Sequence, residues 1–260
     1  MVALLLVLVA HAADAVSLRA RNPEAERVLG AALQDPAFWA DAARTTYDGK
    51  VYDEIRLKPQ PRGYVTYISG EGDADFTPSI VADVVFRHMD RVPRYSPGAK
   101  VVLQLGSGVD PEIGAPYVDT FYYLDLDALY VTYTQRMYRA EAGDGRTVLW
   151  YEALAPEVLD AATRAAYAEK IARAEAGVDR RLLFSSVVPV DDIYGMYVVE
   201  PGTSRSARVT FVTKFVLGED AGWIGQLGSE LPPVLRAGLK SGFSSCVEIA
   251  RAEQARLVGR

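Results

Sequence analysis

The chain has 260 residues, 50% of them hydrophobic and 24% charged, with a net charge of −6 and a mean hydropathy of +0.02. These values fit a globular chain long enough for a sizeable core, and the acidic balance argues against the basic surface that displaces counterions from nucleic acid. A single cysteine excludes an intramolecular disulfide, and two histidines exclude a histidine-rich metal cluster, so neither metal nor cofactor is expected.

The N-terminus opens with an uninterrupted apolar run, Val2 to Val9, followed by the small-x-small pattern of Ala10 and Ala12. The run is too short to anchor in a bilayer, and the pattern predicts an export signal over residues 1–12 with a periplasmic mature protein. No basic residue precedes the run, so cytoplasmic residence with a packed apolar helix is the alternative. Residues 13–260 are expected to form one domain, since no linker composition or repeat divides them.

Two short helices come next, where Asn22-Pro23 and Asp35-Pro36 each place an N-cap residue before a proline at the first helical position. Phe38 and Trp39 on the second are candidate core anchors. Alternation predicts strands over Val51–Leu57 and Gly63–Ser69, joined by a proline-rich connection. Thr77-Pro78 starts a helix over Ser79–Met89 with Val81, Val84, Val85 and His88 on one stripe.

Strands are expected at Lys100–Leu105, Tyr117–Leu124, Leu129–Ala140 and Arg146–Ala153, the last two joined at Gly143-Asp144-Gly145. Alanine-rich Pro156–Gly177 reads as one surface helix interrupting the sheet. Strands resume at Leu182–Val188, Tyr194–Glu200 and Ala207–Leu217. In the last of these, Val209, Phe211 and Phe215 share one face while Arg208, Thr210 and Lys214 share the other. A Gly222-Trp223-Ile224 turn follows. Pro232–Leu257 then reads as a helix, with Leu231, Leu235, Leu239, Phe243 and Val247 at four-residue intervals.

Tyrosine is abundant, 15 residues against 8 Phe and 3 Trp, which suits either a greasy but partly polar pocket or simply twisted antiparallel strands. Catalytic equipment is sparse. His88 lies on an apolar helix stripe, Asp125-x-Asp127 and Asp191-Asp192 read as turn residues, and Arg180-Arg181 reads as solvated surface. Gly106-Ser-Gly108 is not followed by a helix start, so it is no dinucleotide loop. Cys246, inside an apolar-periodic helix, is expected to be buried and inert.

The order of elements, together with Tyr194–Pro201, the strand after it, Gly222-Trp223-Ile224 and the helix after Pro232-Pro233, resembles the START lipid-transfer domains. These belong to the helix-grip superfamily, which also holds plant allergen-like and cyclase-like folds. The resemblance runs from about Asp35 to Leu257. It implies an α+β helix-grip fold: a curved antiparallel β-sheet wrapped around a long C-terminal α-helix, with an internal hydrophobic cavity.

The resemblance further implies a monomeric, non-enzymatic carrier that holds one lipid, a sterol first and a phospholipid second, and makes transient contact with membranes. Burying a sterol-sized ligand would hide a few hundred Å² of apolar surface, on the order of several kcal/mol. Its lining is expected from Val131, Tyr133 and Met137 on the central strand, Met196, Val209, Phe211 and Phe215 on the late strands, and Leu235, Leu239 and Phe243 on the helix. An apolar strand face would serve equally as solid core. Asp119 is the candidate polar anchor, or else an exposed residue of the outer face. The expected mouth loops are Val187–Asp192 or Gly106–Pro116.

Three departures qualify the resemblance. Gly225 stands where the family often has proline, and Pro156–Gly177 is an insertion. Sterol-binding members pair a buried carboxylate with an arginine on the next strand. Here the matching place reads as Thr132 or Tyr133, while alternation puts Arg136 with Tyr130, Thr132, Thr134 and Tyr138, so the pair is expected to be absent. The rival readings are a polyketide cyclase or aromatase type of enzyme and a ligand-free interaction module.

Overall fold

The computed structural model describes residues 18–48, 51–71, 77–125, 130–142, 144–179, 187–203, 206–218 and 232–258. The expected export signal, Gly222-Trp223-Ile224, Leu231, Arg180-Arg181, Asp127, Gly143 and the strand start at 182–186 all lie outside the described residues.

Helix α1 (Pro23–Gln34) starts as its sequence predicts: Asn22 accepts hydrogen bonds from the backbone of Glu24 and Ala25, and proline fills the first turn. The second short helix is a 3₁₀ turn, Pro36–Trp39, capped by Asp35. Nine strands follow among the described residues: β1 (Ala43–Thr46), β2 (Glu54–Pro59), β3 (Tyr64–Glu71), β4 (Ala99–Val109), β5 (Pro116–Asp125), β6 (Tyr130–Glu141), β7 (Thr147–Ala153), β8 (Val187–Pro201) and β9 (Ala207–Leu217). Helix α2 (Pro78–Arg87) lies between β3 and β4, α3 (Ala161–Ala176) between β7 and β8, and α4 (Pro232–Val258) follows β9.

The strands form one sheet in the order β1-β2-β3-β9-β8-β7-β6-β5-β4. Neighbours in that order pair antiparallel, and a short parallel contact joins β6 to the start of β8. The chain thus crosses from β3 at one side to β4 at the far edge and winds back to close β9 against β3.

Alternation decides what covers each face. On the inner face, Met137, Leu149, Tyr151, Ile193, Tyr197 and Val209 join one core with α2 and with Leu239, Phe243, Val247 and Ala250 of α4. The intervening residues, among them Tyr138, Trp150, Met196 and Val212, pack on the outer face against Val28 and Leu29 of α1. Farther along that face, Leu105, Phe121, Tyr123 and Tyr130 pack with Tyr167 of α3.

Several boundaries differ from those expected. Pro156–Gly177 is a 3₁₀ turn, Pro156–Val158, and then α3, which starts at the Asp160 cap. Neither expected mouth loop is a loop throughout. Val187–Asp192 belongs to β8, paired with β6 and β9. Gly106 to Val109 continues β4, and the turn after it is tied by Asp110, which accepts hydrogen bonds from the backbone of Glu112 and Ile113.

Helix α4 is fastened at two points along its described length. Lys240 lies 4.4 Å from the Tyr47 ring centre, a cation–π contact. Glu253 is bridged by Arg91 and Arg256, which hold its carboxyl down at about 2. A carboxylate whose folded pKa lies below its unfolded value stabilises the fold above the unfolded value, about 4.3, and loses that contribution as acid titrates it. The melting temperature of a Glu253→Gln variant should therefore be lower at pH 6 and fall less steeply than wild type below about pH 4.3. Parallel melting curves across that range would remove Glu253 from the fastening.

Candidate functional site

Of two concavities beside the described residues, one has the chemistry of an interior site. The larger, about 580 Å³, is an open trough along one flank of α1, lined in part by Glu26, Arg27 and Gln34. The other is enclosed between the sheet, α2 and α4, with a volume of about 20 Å³. It is lined by Val81 and Val85 of α2, Tyr197, Val209, and Phe243 and Cys246 of α4, among others. That volume admits about one water molecule, whereas ligand pockets run to several hundred Å³. At the α2 end, therefore, side chains fill the space under α4.

From the void, the inner face continues toward the start of α4. There Tyr133, Phe211, Phe215, Leu124, Val190 and Leu235 pack on the core yet keep part of their surface accessible. Tyr133 stacks on Tyr122 at 4.7 Å, and Tyr197 stacks on Phe211 at 4.3 Å. The side chains under α4 are tightly packed at the α2 end and partly accessible at the other.

A cluster of uncharged polar groups sits in this apolar setting. Gln135 donates to the Tyr122 hydroxyl at 3.4 Å, and Tyr151 donates to Thr213 Oγ1 at 2.7 Å, which in turn donates to the carbonyl of Tyr194 at 3.2 Å. Burial pushes the Tyr122, Tyr133, Tyr151 and Tyr197 phenols above their ordinary value, and proximity to one another adds to it for all but Tyr151. Tyr133 retains some accessible surface, but its ring opens onto the space under α4 rather than onto bulk water. Burial also pushes the Cys246 thiol up to about 12, against a smaller opposing effect of its bond with Tyr197. At neutral pH every one of these groups is uncharged.

Gly195 makes the Tyr151 contact possible. Tyr151, Gly195 and Thr213 lie side by side on β7, β8 and β9. A Cβ at position 195 would collide with the Tyr151 hydroxyl and with a backbone carbonyl. The glycine is the gap across which the phenol reaches the next strand but one.

Most of the expected lining lies on this face. Val209 and Phe243 line the void, Met137 and Leu239 are buried beside it, and Tyr133, Phe211, Phe215 and Leu235 border the accessible part. Val131 is in a small adjoining cluster with Leu217. Two expected residues are elsewhere. Met196 packs on the outer face against the α1 layer, because it follows Gly195 by one residue and strand alternation turns it over. Asp119 is also on the outer face and is fully buried.

Asp119 there has the arginine that was expected to be missing. Arg136 stands directly opposite Asp119 on β6 and forks onto its two oxygens at 2.7 and 2.8 Å. Its remaining nitrogen reaches Asp110 at 3.0 Å, and its guanidinium lies 3.8 Å from the Tyr117 ring centre. Arg21 reaches Asp110 from the N-terminal segment at 3.0 Å, and Tyr167 of α3 donates to Asp119 at 3.0 Å. Burial opposes the Arg136 charge, but the Asp119 partnership outweighs it and raises the guanidinium above its ordinary value. Asp110 is likewise lowered despite burial, by the backbone N–H groups of Ile113 and Glu112 and by Arg21.

The glycines of Gly106-Ser-Gly108 serve this pair. A Cβ at 106 would collide with the Tyr167 hydroxyl, and one at 108 would lie 3.1 Å from the Tyr117 ring. The motif is a seat for two tyrosines rather than a phosphate loop. Tyr122, Gln135, Tyr151, Thr213 and Tyr197 are the inner-face residues that motif reading missed. Their signal was the excess of tyrosine combined with strict alternation along each strand.

No protein-family model matches the sequence, and no curated protein matches it. Solved structures match the fold. Human STARD10 superposes with a TM-score of 0.57 at 8% identity over 94% of this chain and 87% of its own. Human StAR-related lipid transfer protein 5 gives 0.54 at 10% identity over 91% and 97%. A STAR-related lipid transfer protein fragment from Xanthomonas axonopodis gives 0.51 at 13% identity over 78% and 98%. The chain has the START-like helix-grip fold.

Replacing Arg136 with Leu leaves Asp119 and Asp110 buried without their main cation. Urea unfolding should then show a loss of about 3–5 kcal/mol, and Gly106→Ala, which unseats Tyr167, a smaller one. An Arg136→Leu protein as stable as wild type would contradict the role given to the pair.

Proposed function

We propose that the protein is a non-enzymatic carrier that sequesters one hydrophobic ligand, a sterol first and a phospholipid second, under α4 and moves it between membranes. The observation that carries this reading is the inner face itself. An extended apolar and aromatic surface lies under a terminal helix, partly accessible at one end and holding only a water-sized void at the other. A solid core would complete that packing. A carrier needs it to reopen.

Among the described elements, α4 is the one we assign to opening, because the sheet is continuous hydrogen-bonded structure from β1 to β4. Lifting α4 from the sheet uncovers Leu239, Phe243 and Cys246 together with Val209 and Tyr197. Exposed apolar surface of that kind is stable only against a membrane or a ligand, which links opening to lipid exchange. The lipid-transfer designations of human StAR-related lipid transfer protein 5 and of the Xanthomonas fragment support the same reading. The described inner face offers no carboxylate or histidine at its centre to perform acid–base chemistry, which favours a carrier over a cyclase-like enzyme.

Native mass spectrometry with lipid extraction tests the proposal. The purified protein, or protein incubated with vesicles of phosphatidylcholine and cholesterol, should carry one lipid per chain. A protein that stays empty under both conditions would sink it. Cys246 provides a second readout. Its thiol should resist a water-soluble disulfide reagent in buffer and react at least several-fold faster with lipid vesicles present, as α4 opens. An unchanged rate would place the opening elsewhere.

A further inference from the structure

Helix α4 is built unevenly along its length. Before Gly242, Leu239 is buried, Leu235, Arg236 and Lys240 are partly buried, and Val234, Ala237, Gly238 and Ser241 are exposed. From Phe243 onward the helix sinks into the core, with Phe243, Cys246, Val247, Ile249, Ala250 and Glu253 all buried.

The holds differ in the same way. The second half closes with Val81 and Val85 of α2 around the small void, and Arg91, just past α2, bridges Glu253. The first half is held by the Lys240 ammonium, 4.4 and 5.7 Å from the Tyr47 and Tyr52 ring centres. At a part-exposed site such a cation–π contact is weaker than a charge-assisted bridge.

Between the halves, the stretch 238–245 reads Gly-Leu-Lys-Ser-Gly-Phe-Ser-Ser, a poor helix former. Glycine is the least favourable helix-interior residue after proline, because it gives up the most backbone freedom. Packing does not call for it here. A Cβ at 238 or at 242 would meet no neighbouring atom within 4 Å, unlike one at Gly106 or Gly195. Ser245 adds a second weakness. Its Oγ donates to the Ser241 carbonyl at 2.9 Å, a back-bond that competes with the main-chain ladder and bends helices.

Resting on the carrier reading, we propose that α4 is jointed over 238–245, so that the turns carrying Leu235 and Leu239 lift off the sheet while 246–258 stays seated. The lifting turns are those beside the accessible aromatics, Tyr133 and Phe215 among them, and their departure widens that end without dismantling the core between α2 and α4. Phe243, inside the joint, leaves the void it shares with Cys246, which bares the thiol although the second half does not move.

Hydrogen exchange read by mass spectrometry tests the joint, together with the rate of cholesterol uptake from vesicles of phosphatidylcholine and cholesterol. In the wild-type full chain, amides of 236–242 should exchange about tenfold faster than those of 246–254, or more. A Gly238→Ala/Gly242→Ala variant accommodates both methyl groups without collision. It should slow exchange over 236–242 by about fourfold per glycine and slow uptake with it, while holding the same amount of lipid at saturation. Gly30→Ala, at an equally open glycine within α1, stiffens a helix elsewhere and should leave uptake unchanged. Equal exchange in the two halves of wild-type α4, or uptake by the double variant as fast as wild type, overturns the joint and leaves a carrier in place. Uptake slowed as much by Gly30→Ala also overturns it, since overall stability then sets the rate. A wild-type protein that takes up no lipid overturns the carrier reading, and the joint with it.

Discussion

One guanidinium organises the outer half of this molecule. Arg136 extends from β6, forks onto Asp119 of β5, reaches Asp110 at the end of β4 and stacks on Tyr117. Its two carboxylate partners then recruit the layers above. Asp119 receives Tyr167 from α3, and Asp110 receives Arg21 from the N-terminal segment. Removing water from such charges is costly, so the arrangement is tolerated only because nearly every oxygen has a donor. It fixes the β5–β6 register as well, since a one-residue slip would turn Arg136 to the inner face.

That constraint has a consequence on the other side of the sheet. With Arg136 and Lys214 bound on the outer face, the polar groups at the centre of the inner face are, among the described residues, phenols, an amide, a hydroxyl and a thiol. The division follows from the two-residue repeat of a strand, in which buried neighbours such as Gln135 and Arg136 point to opposite faces of the sheet. The sheet thus separates a charged, rigid face that carries α1 and α3 from an uncharged face under α4. The first is built for permanence. The second, with its partly accessible aromatics, is where packing is least complete.

Much of this was legible in the sequence. The strand Ala207–Leu217 has the bounds and the facing that alternation gives it, and the terminal helix begins at Pro232 as expected. Proline after Asn22, Asp35 and Thr77 marked three helix starts. What failed were facts about pairs. Alternation put Arg136 with Tyr138 and Thr134 correctly, but the face of Asp119 had been left open between an interior anchor and an exposed outer position, and only the strand register brings the two together. Met196 was expected in the lining, although strand alternation turns it outward and Gly195 is the residue that faces inward. The same limit hid Gly106 and Gly195, whose importance depends on rings arriving from Tyr167 and Tyr151, distant in sequence or across a strand. The mouth loops were misplaced because glycine and aspartate signal turns locally, while β8 and β4 continue through them by pairing with neighbours.

The account stands or falls on where a lipid sits. A sterol carrying a photoreactive group on its ring system, bound to the full chain, irradiated and mapped by peptide sequencing, tests this most directly. The account predicts labels on inner-face residues such as Tyr133, Tyr197 and Phe211 and on Leu239 or Phe243 of α4. Labels confined to α1, α3 or the trough beside Glu26 and Arg27 would contradict it.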